Sequence, residues 1–225
     1  MRRLLALLAV LALAIPASSI TAASASSGTS YHYNLTLRAW VHNSLELASY
    51  GAGGHGKTIP FPVEVRCYTD RSSFEAGAYR RGASLRSIPE IIAYYVGGNT
   101  VHMRAGTCAD ALEFTRGVFT AETVGAFTTL LHESLHRQGF RNENLTEAFA
   151  IAAMYVAGRF VEYEQYRAKG ATDQDAAWRA TAPYGAKVLH IAFVQSNHVA
   201  PPSYRTSWRE VTAAVRVGWA ARLKR

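Results

Sequence analysis

Cysteine is scarce in this chain of 225 residues: there are two, Cys67 and Cys108. Neither has a second cysteine or a histidine at metal-ligand spacing, which argues against a cysteine-based zinc site. No cysteine follows the apolar run near the start, so a lipid-anchored start has no support. Long hydrophobic runs are missing as well. The uninterrupted apolar stretch Leu4 to Ile15 is too short to span a bilayer comfortably. Like charges never collect into a block of five, so no nucleic-acid-binding arm is indicated. The glycine-rich loop Gly51-Ala52-Gly53-Gly54-His55-Gly56 lacks the spacing and the Lys-Ser/Thr ending of a phosphate loop. There is no internal repeat, and no linker long enough to divide the chain.

What is present begins with an export pattern. Arg2 and Arg3 precede the apolar run, Pro16 breaks it, and small residues follow to Ala23-Ser24-Ala25. These are the three parts of a secretory signal peptide, with cleavage expected after Ala25. A mature chain of about 200 residues fits one domain. It is expected to be secreted, with no stable membrane insertion once the signal is removed. In that setting Cys67 and Cys108 most simply form one disulfide. The formal net charge is +8, two of those charges being Arg2 and Arg3. A mildly basic exported protein would associate loosely with an anionic cell envelope.

Hydrophobic periodicity organises the remainder. Asn34 to Val41 alternates and reads as a half-buried strand; Val63 to Tyr68 reads as a second. A short helix is expected over Arg71 to Arg81, capped by Ser72 or Ser73. Ile91 to Val96 and Thr100 to Arg104, joined by Gly97-Gly98-Asn99, suggest a hairpin. Thr107 can cap a helix from Cys108 to Thr115. Helices then dominate. One runs from Ala121 to Gln138 and stops at Gly139. Another opens at Asn144 or Thr146 and reaches about Lys169. A third is capped around Thr172, Asp173 and Asp175 and is interrupted by Pro183. A last one runs from Ser207 to Leu223, with Val211, Val215 and Trp219 at helical spacing. Strands first and helices after imply one α+β domain, a small N-terminal β-sheet packed on a mainly helical C-terminal half.

The chemistry is concentrated in His132-Glu133-Ser134-Leu135-His136. Residues four apart on a helix lie on one face, so His132 and His136 can point two imidazoles at one metal ion. Glu133 sits beside them, within reach of a water on that metal. This is the arrangement of a zinc hydrolase helix. Val124, Phe127, Leu131 and Leu135 form a stripe that should face the core, placing the histidines at its edge with Gly125 and Thr128. A catalytic zinc needs a third protein ligand. Glu147, in the first turn of the following helix, is the expected one. The competing reading has it cap that helix through Asn144-x-x-Glu147. Glu143 is the alternative ligand, or an acceptor behind a ligand histidine.

His132-Glu133-x-x-His136 followed by Glu147 in Thr146-Glu147-x-x-Ala150 resembles the zincin metallopeptidases, and among them the gluzincins, over about Ala121 to Met154. Glu147 follows His136 by eleven positions. Gly139 also stands where metzincins have a glycine, but Asn142 falls at their third-ligand position and is a poor zinc ligand; Met154 is the remaining point of comparison. The gluzincin resemblance implies a Zn2+ site of His132, His136 and Glu147, with Glu133 as general base and a peptide or protein as substrate. It also implies that a strand before the motif helix, here Thr100 to Arg104, aligns an extended substrate. A further donor to the oxyanion is needed, with Tyr155, Tyr163, His190 and His198 as candidates. Two other readings are an exported binding protein that keeps the fold without catalysis, and a hydrolase of cell-wall amides.

Overall fold

Strand formation in the N-terminal half follows the alternation of the sequence. In the computed structural model, which describes residues 30–51, 63–79, 91–199 and 202–217, Val65 and Cys67 point into the core from β2 (Glu64–Tyr68). The strand β1 (Tyr31–Tyr33) pairs with it antiparallel, Tyr31 opposite Tyr68. The strand β4 (Thr100–Met103) pairs with β2 parallel, Val65 opposite Val101. The hairpin partner of β4 is β3 (Ala93–Tyr95), antiparallel across Gly97 and Gly98. The strand order is therefore β1-β2-β4-β3. Thr100 to Met103 is buried along its whole length and paired on both sides, so β4 is a core strand and β3 lies at the edge.

The reading of 34–41 as a strand is corrected. These residues open the helix α1 (Leu35–Gly51). Asn34 caps it, its side-chain oxygen accepting from the Leu37 N–H at 2.9 Å. Leu37, Trp40, Val41 and Leu45 are all buried, a helical period that an eight-residue window confuses with alternation. Leu35, which the strand reading pairs with Leu37 on one face, is 56% exposed. Other caps also differ from expectation. Helix α2 (Arg71–Tyr79) is capped by Asp70, which accepts from the Ser73 N–H at 2.7 Å and from both the Ser72 and Ser73 hydroxyls. Helix α3 (Ala105–Thr115) begins two residues before Thr107, with Arg104 at the cap position and no side-chain acceptor.

The long helices follow the sequence more closely. Helix α4 (Ala121–Arg137) carries the motif, and Thr120 and Thr123 exchange bonds at its start. Helix α5 (Glu143–Ala168) is capped by Asn142, ahead of Asn144 and Thr146. Helix α6 (Gln174–Ala180) is capped by Asp173. Helix α7 (Ala182–Val199) takes Pro183 into its first turn, where a missing N–H costs nothing. A single 3-10 turn (Pro202–Tyr204) precedes α8 (Trp208–Val217). The signal-peptide pattern, the glycine-rich loop from 52 onward, Trp219 and Leu223 lie outside the described residues.

Helix α5 is the centre of the helical layer and packs against α1, α4, α7 and α8. Ala148, Ala150, Ala153 and Ala157 let its neighbours come close. At Gly158 a Cβ would stand 2.8 Å from Val188 of α7, so only glycine permits that approach. Cys67 of β2 and Cys108 of α3 form a disulfide with a Cα separation of 5.9 Å. The bond ties the sheet to the helix that packs on α4. Among the described residues no helix is long and apolar enough to cross a membrane.

Candidate metal centre

The motif helix is oriented by its stripe: Val124, Phe127, Leu131 and Leu135 are all buried. Its position is fixed further by Phe127, which stacks on Phe114 of α3 at 4.5 Å. His132 is only 2% exposed at the edge of that stripe, and His136 lies one turn on, partly exposed. The helix ends at Gly139, whose φ of 94° lies in the left-handed region. The Gly139 N–H donates to the His136 carbonyl at 3.0 Å and the Phe140 N–H to the Leu135 carbonyl at 3.2 Å. This reciprocal pair is a Schellman ending. It turns the chain so that the Phe140 carbonyl comes back over the helix and accepts from His136 Nδ1 at 2.8 Å.

Because Asn142 caps α5, Glu143 is its first residue and stands in front of both histidines. Glu143 Oε2 is 3.0 Å from His132 Nε2 and 3.2 Å from His136 Nε2, and the two Nε2 atoms are 3.0 Å apart. His132, His136 and Glu143 thus form a group that could hold a metal ion. Glu147, one turn further along α5, is behind His132, with Oε2 2.7 Å from Nδ1. It does not cap its helix; the side chain of Asn144, its supposed box partner, donates instead to the Arg205 carbonyl. The structure therefore brings Glu143, not Glu147, to the side where both Nε2 atoms converge.

The donor set suits a cation. A carbonyl can only accept, so His136 donates to it from Nδ1 and turns its Nε2 to the cluster. His132 is held in the same sense by the Glu147 carboxylate. Two imidazole nitrogens and a carboxylate oxygen then face one another at 3.0 to 3.2 Å, an arrangement that a positive charge between them reconciles. Burial works against a charged His132, but the hydrogen bonds to Glu143 and Glu147 and the nearby carboxylate charges outweigh it and lift the ring to about 9. The hydrogen bond from His132 holds the Glu143 carboxyl below its ordinary value, against partial burial.

Glu133 projects toward the sheet, and α4 packs on β3. Its carboxylate accepts the backbone N–H of Tyr95. Burial of the carboxyl raises it to about 7, with the His132 charge opposing and the Glu143 charge adding. Tyr204 of the 3-10 turn also reaches the cluster. Its ring stacks on His132 with centroids 5.2 Å apart and planes at 29°. Its hydroxyl is hydrogen-bonded to Glu143, and burial first, then the neighbouring carboxylates, push the phenol up to about 12. A lone tyrosine after Pro201-Pro202 offers no periodic signal by which it could be found.

Of the four residues put forward as oxyanion donors, two are packed against neighbours and two are exposed. Tyr163 is buried against Trp178 at 5.7 Å, Tyr155 lies beside Arg159, and His190 and His198 are exposed on α7. Met154 is fully buried within α5, well inside a helix and far from any turn. The chain matches no family model, no curated protein and no solved structure.

Proposed function

We propose that the chain is an exported zinc-dependent metallopeptidase of the zincin type, with His132, His136 and Glu143 as metal ligands. One observation carries the reading: both Nε2 atoms and one Glu143 oxygen converge while both Nδ1 atoms are engaged by protein acceptors. Two imidazoles and one carboxylate are the donor set of a catalytic zinc, which would supply Lewis acidity toward a water and a substrate carbonyl.

The chain's own groups supply the rest. Glu133 takes a proton from the water that attacks the scissile carbonyl carbon, and returns it to the amine nitrogen as the C–N bond breaks. Burial holds this carboxyl above its ordinary range, which favours its carrying the proton between the two steps, and the Tyr95 N–H restrains it. Glu147 orients His132 and the Phe140 carbonyl orients His136. The substrate is a peptide or protein. The disulfide, the leader-like start and the basic charge support export and loose attraction to an anionic envelope.

Glu133→Gln tests the assignment. The variant should bind zinc as the wild type does and cleave a broad peptide library about 10²- to 10⁴-fold more slowly. Zinc retained in both proteins with no cleavage by either would sink the peptidase reading.

A further inference from the structure

The segment that leads into α8 reaches the metal cluster at one position and the residue next to a cluster member at the following one. Tyr204 lies on Glu143 and His132, and the next residue, Arg205, gives its carbonyl to Asn144. The contacts join the 3-10 turn to the first turn of α5 across 61 positions of chain. On the far side the segment is anchored by α8. Ser207 and Glu210 exchange bonds at its start, the Ser207 N–H to Glu210 Oε2 at 2.7 Å and the Glu210 N–H to Ser207 Oγ at 3.2 Å. Val211 and Ala214 are buried where α8 packs on α5.

The member of the cluster in need of support is Glu143. Its side chain is 39% exposed, against 3% for that of His132, and it sits at the open end of a helix. A glutamate free to rotate loses rotamer entropy when it becomes a ligand. A phenol that holds it beforehand reduces that loss, and one hydroxyl uses only one of the acceptor sites on the carboxylate.

We propose that residues 202–217 form a strap whose docking completes the metal site, with Tyr204 as the positioning residue for Glu143 and His132. The proposal rests on the metal reading above. Because coupling between two binding events is reciprocal, a strap that favours the metal is itself favoured by the metal.

The test uses the full chain and zinc or cobalt alone. Zinc affinity is measured by competition with a chromophoric chelator, and amide exchange is followed across 202–217. Tyr204→Phe keeps the ring stack and removes only the hydroxyl. It should weaken zinc binding about 10-fold and shift the visible bands of the Co2+-loaded protein, while leaving the thermal transition of the metal-free protein in place. Asn144→Ala loosens the strap without touching a ligand. It should weaken zinc in the same direction and speed exchange across 202–217. In the wild type, zinc should slow that exchange. If Tyr204→Phe binds zinc as tightly as the wild type with an unchanged cobalt spectrum, or if zinc leaves exchange across 202–217 unchanged, the strap proposal falls while the metal reading stands. A wild type that binds no zinc overturns both.

Discussion

His132 and His136 are each gripped at the nitrogen that faces away from the cluster, one by a carboxylate and one by a backbone carbonyl. On the proposed metal reading that division assigns Glu143 and Glu147 different chemical duties, and substitution should separate them. Glu143→Ala removes a donor from the converging set and should lower zinc affinity by well over 100-fold. Glu147→Gln keeps an acceptor for the His132 Nδ1–H but removes its charge, and should cost about 10-fold, as for other groups that support a ligand histidine. Zinc titrations of the two variants decide the matter. Equal losses, or a greater loss in Glu147→Gln, would reverse the assignment. The spacing in the sequence is compatible with either residue, because both lie on one face of the same helix, four apart. The difference rests on where α5 starts, and Asn142, Asn144 and Thr146 are all competent caps.

At the scale of elements, capping decides more than propensity. Asp70 gathers the Ser73 N–H and two hydroxyls at the start of α2, and these bonds, the Ser72 hydroxyl first, hold its carboxyl down from 3.8 to about 2. A depressed carboxylate stabilises the fold fully above pH 3.8, and that contribution is lost as pH falls through 2. Asp70→Ala should lower the thermal midpoint at pH 7. The gap between variant and wild type should shrink as the pH is brought from 4 to 2, measured by circular dichroism. Helix α4 was legible because its apolar stripe, its polar face and Gly139 all agree. Helix α1 was not: Leu35 to Val41 alternates, and only the longer window through Leu45 restores the helical period. Tyr204 was invisible for another reason, since its partners are remote in the chain and local pattern carries no record of them.

For the whole molecule, the order of strands and helices was enough to imply α+β. The interleaving of α1 between β1 and β2, and the parallel pairing of β2 with β4, lie beyond local periodicity because pairing partners leave no mark in either strand. The disulfide is the principal covalent constraint on this arrangement. It links positions 41 apart, and closing a loop of that length restricts the unfolded chain by about 4 kcal/mol in the chain-entropy account. The double variant Cys67→Ser, Cys108→Ser should lose about 2–4 kcal/mol in urea denaturation. Its zinc affinity when folded should change little, because neither cysteine touches the cluster.

The Schellman ending of α4 also acts as a selector of tautomer. A Cβ at Gly139 would meet nothing within 4 Å, so a larger residue is resisted by the dihedral angle alone. Gly139→Ala should cost about 1 kcal/mol and let the turn relax. The Phe140 carbonyl would then drift from His136, and the ring proton would be shared between both nitrogens instead of staying on one. Nitrogen-15 shifts of the His136 ring in the metal-free protein would show this directly: one tautomer in the wild type, a mixture in the variant. A residue without a side chain would thus set the electronic state of another residue's side chain, and the ring spectrum would report on a backbone angle three residues away.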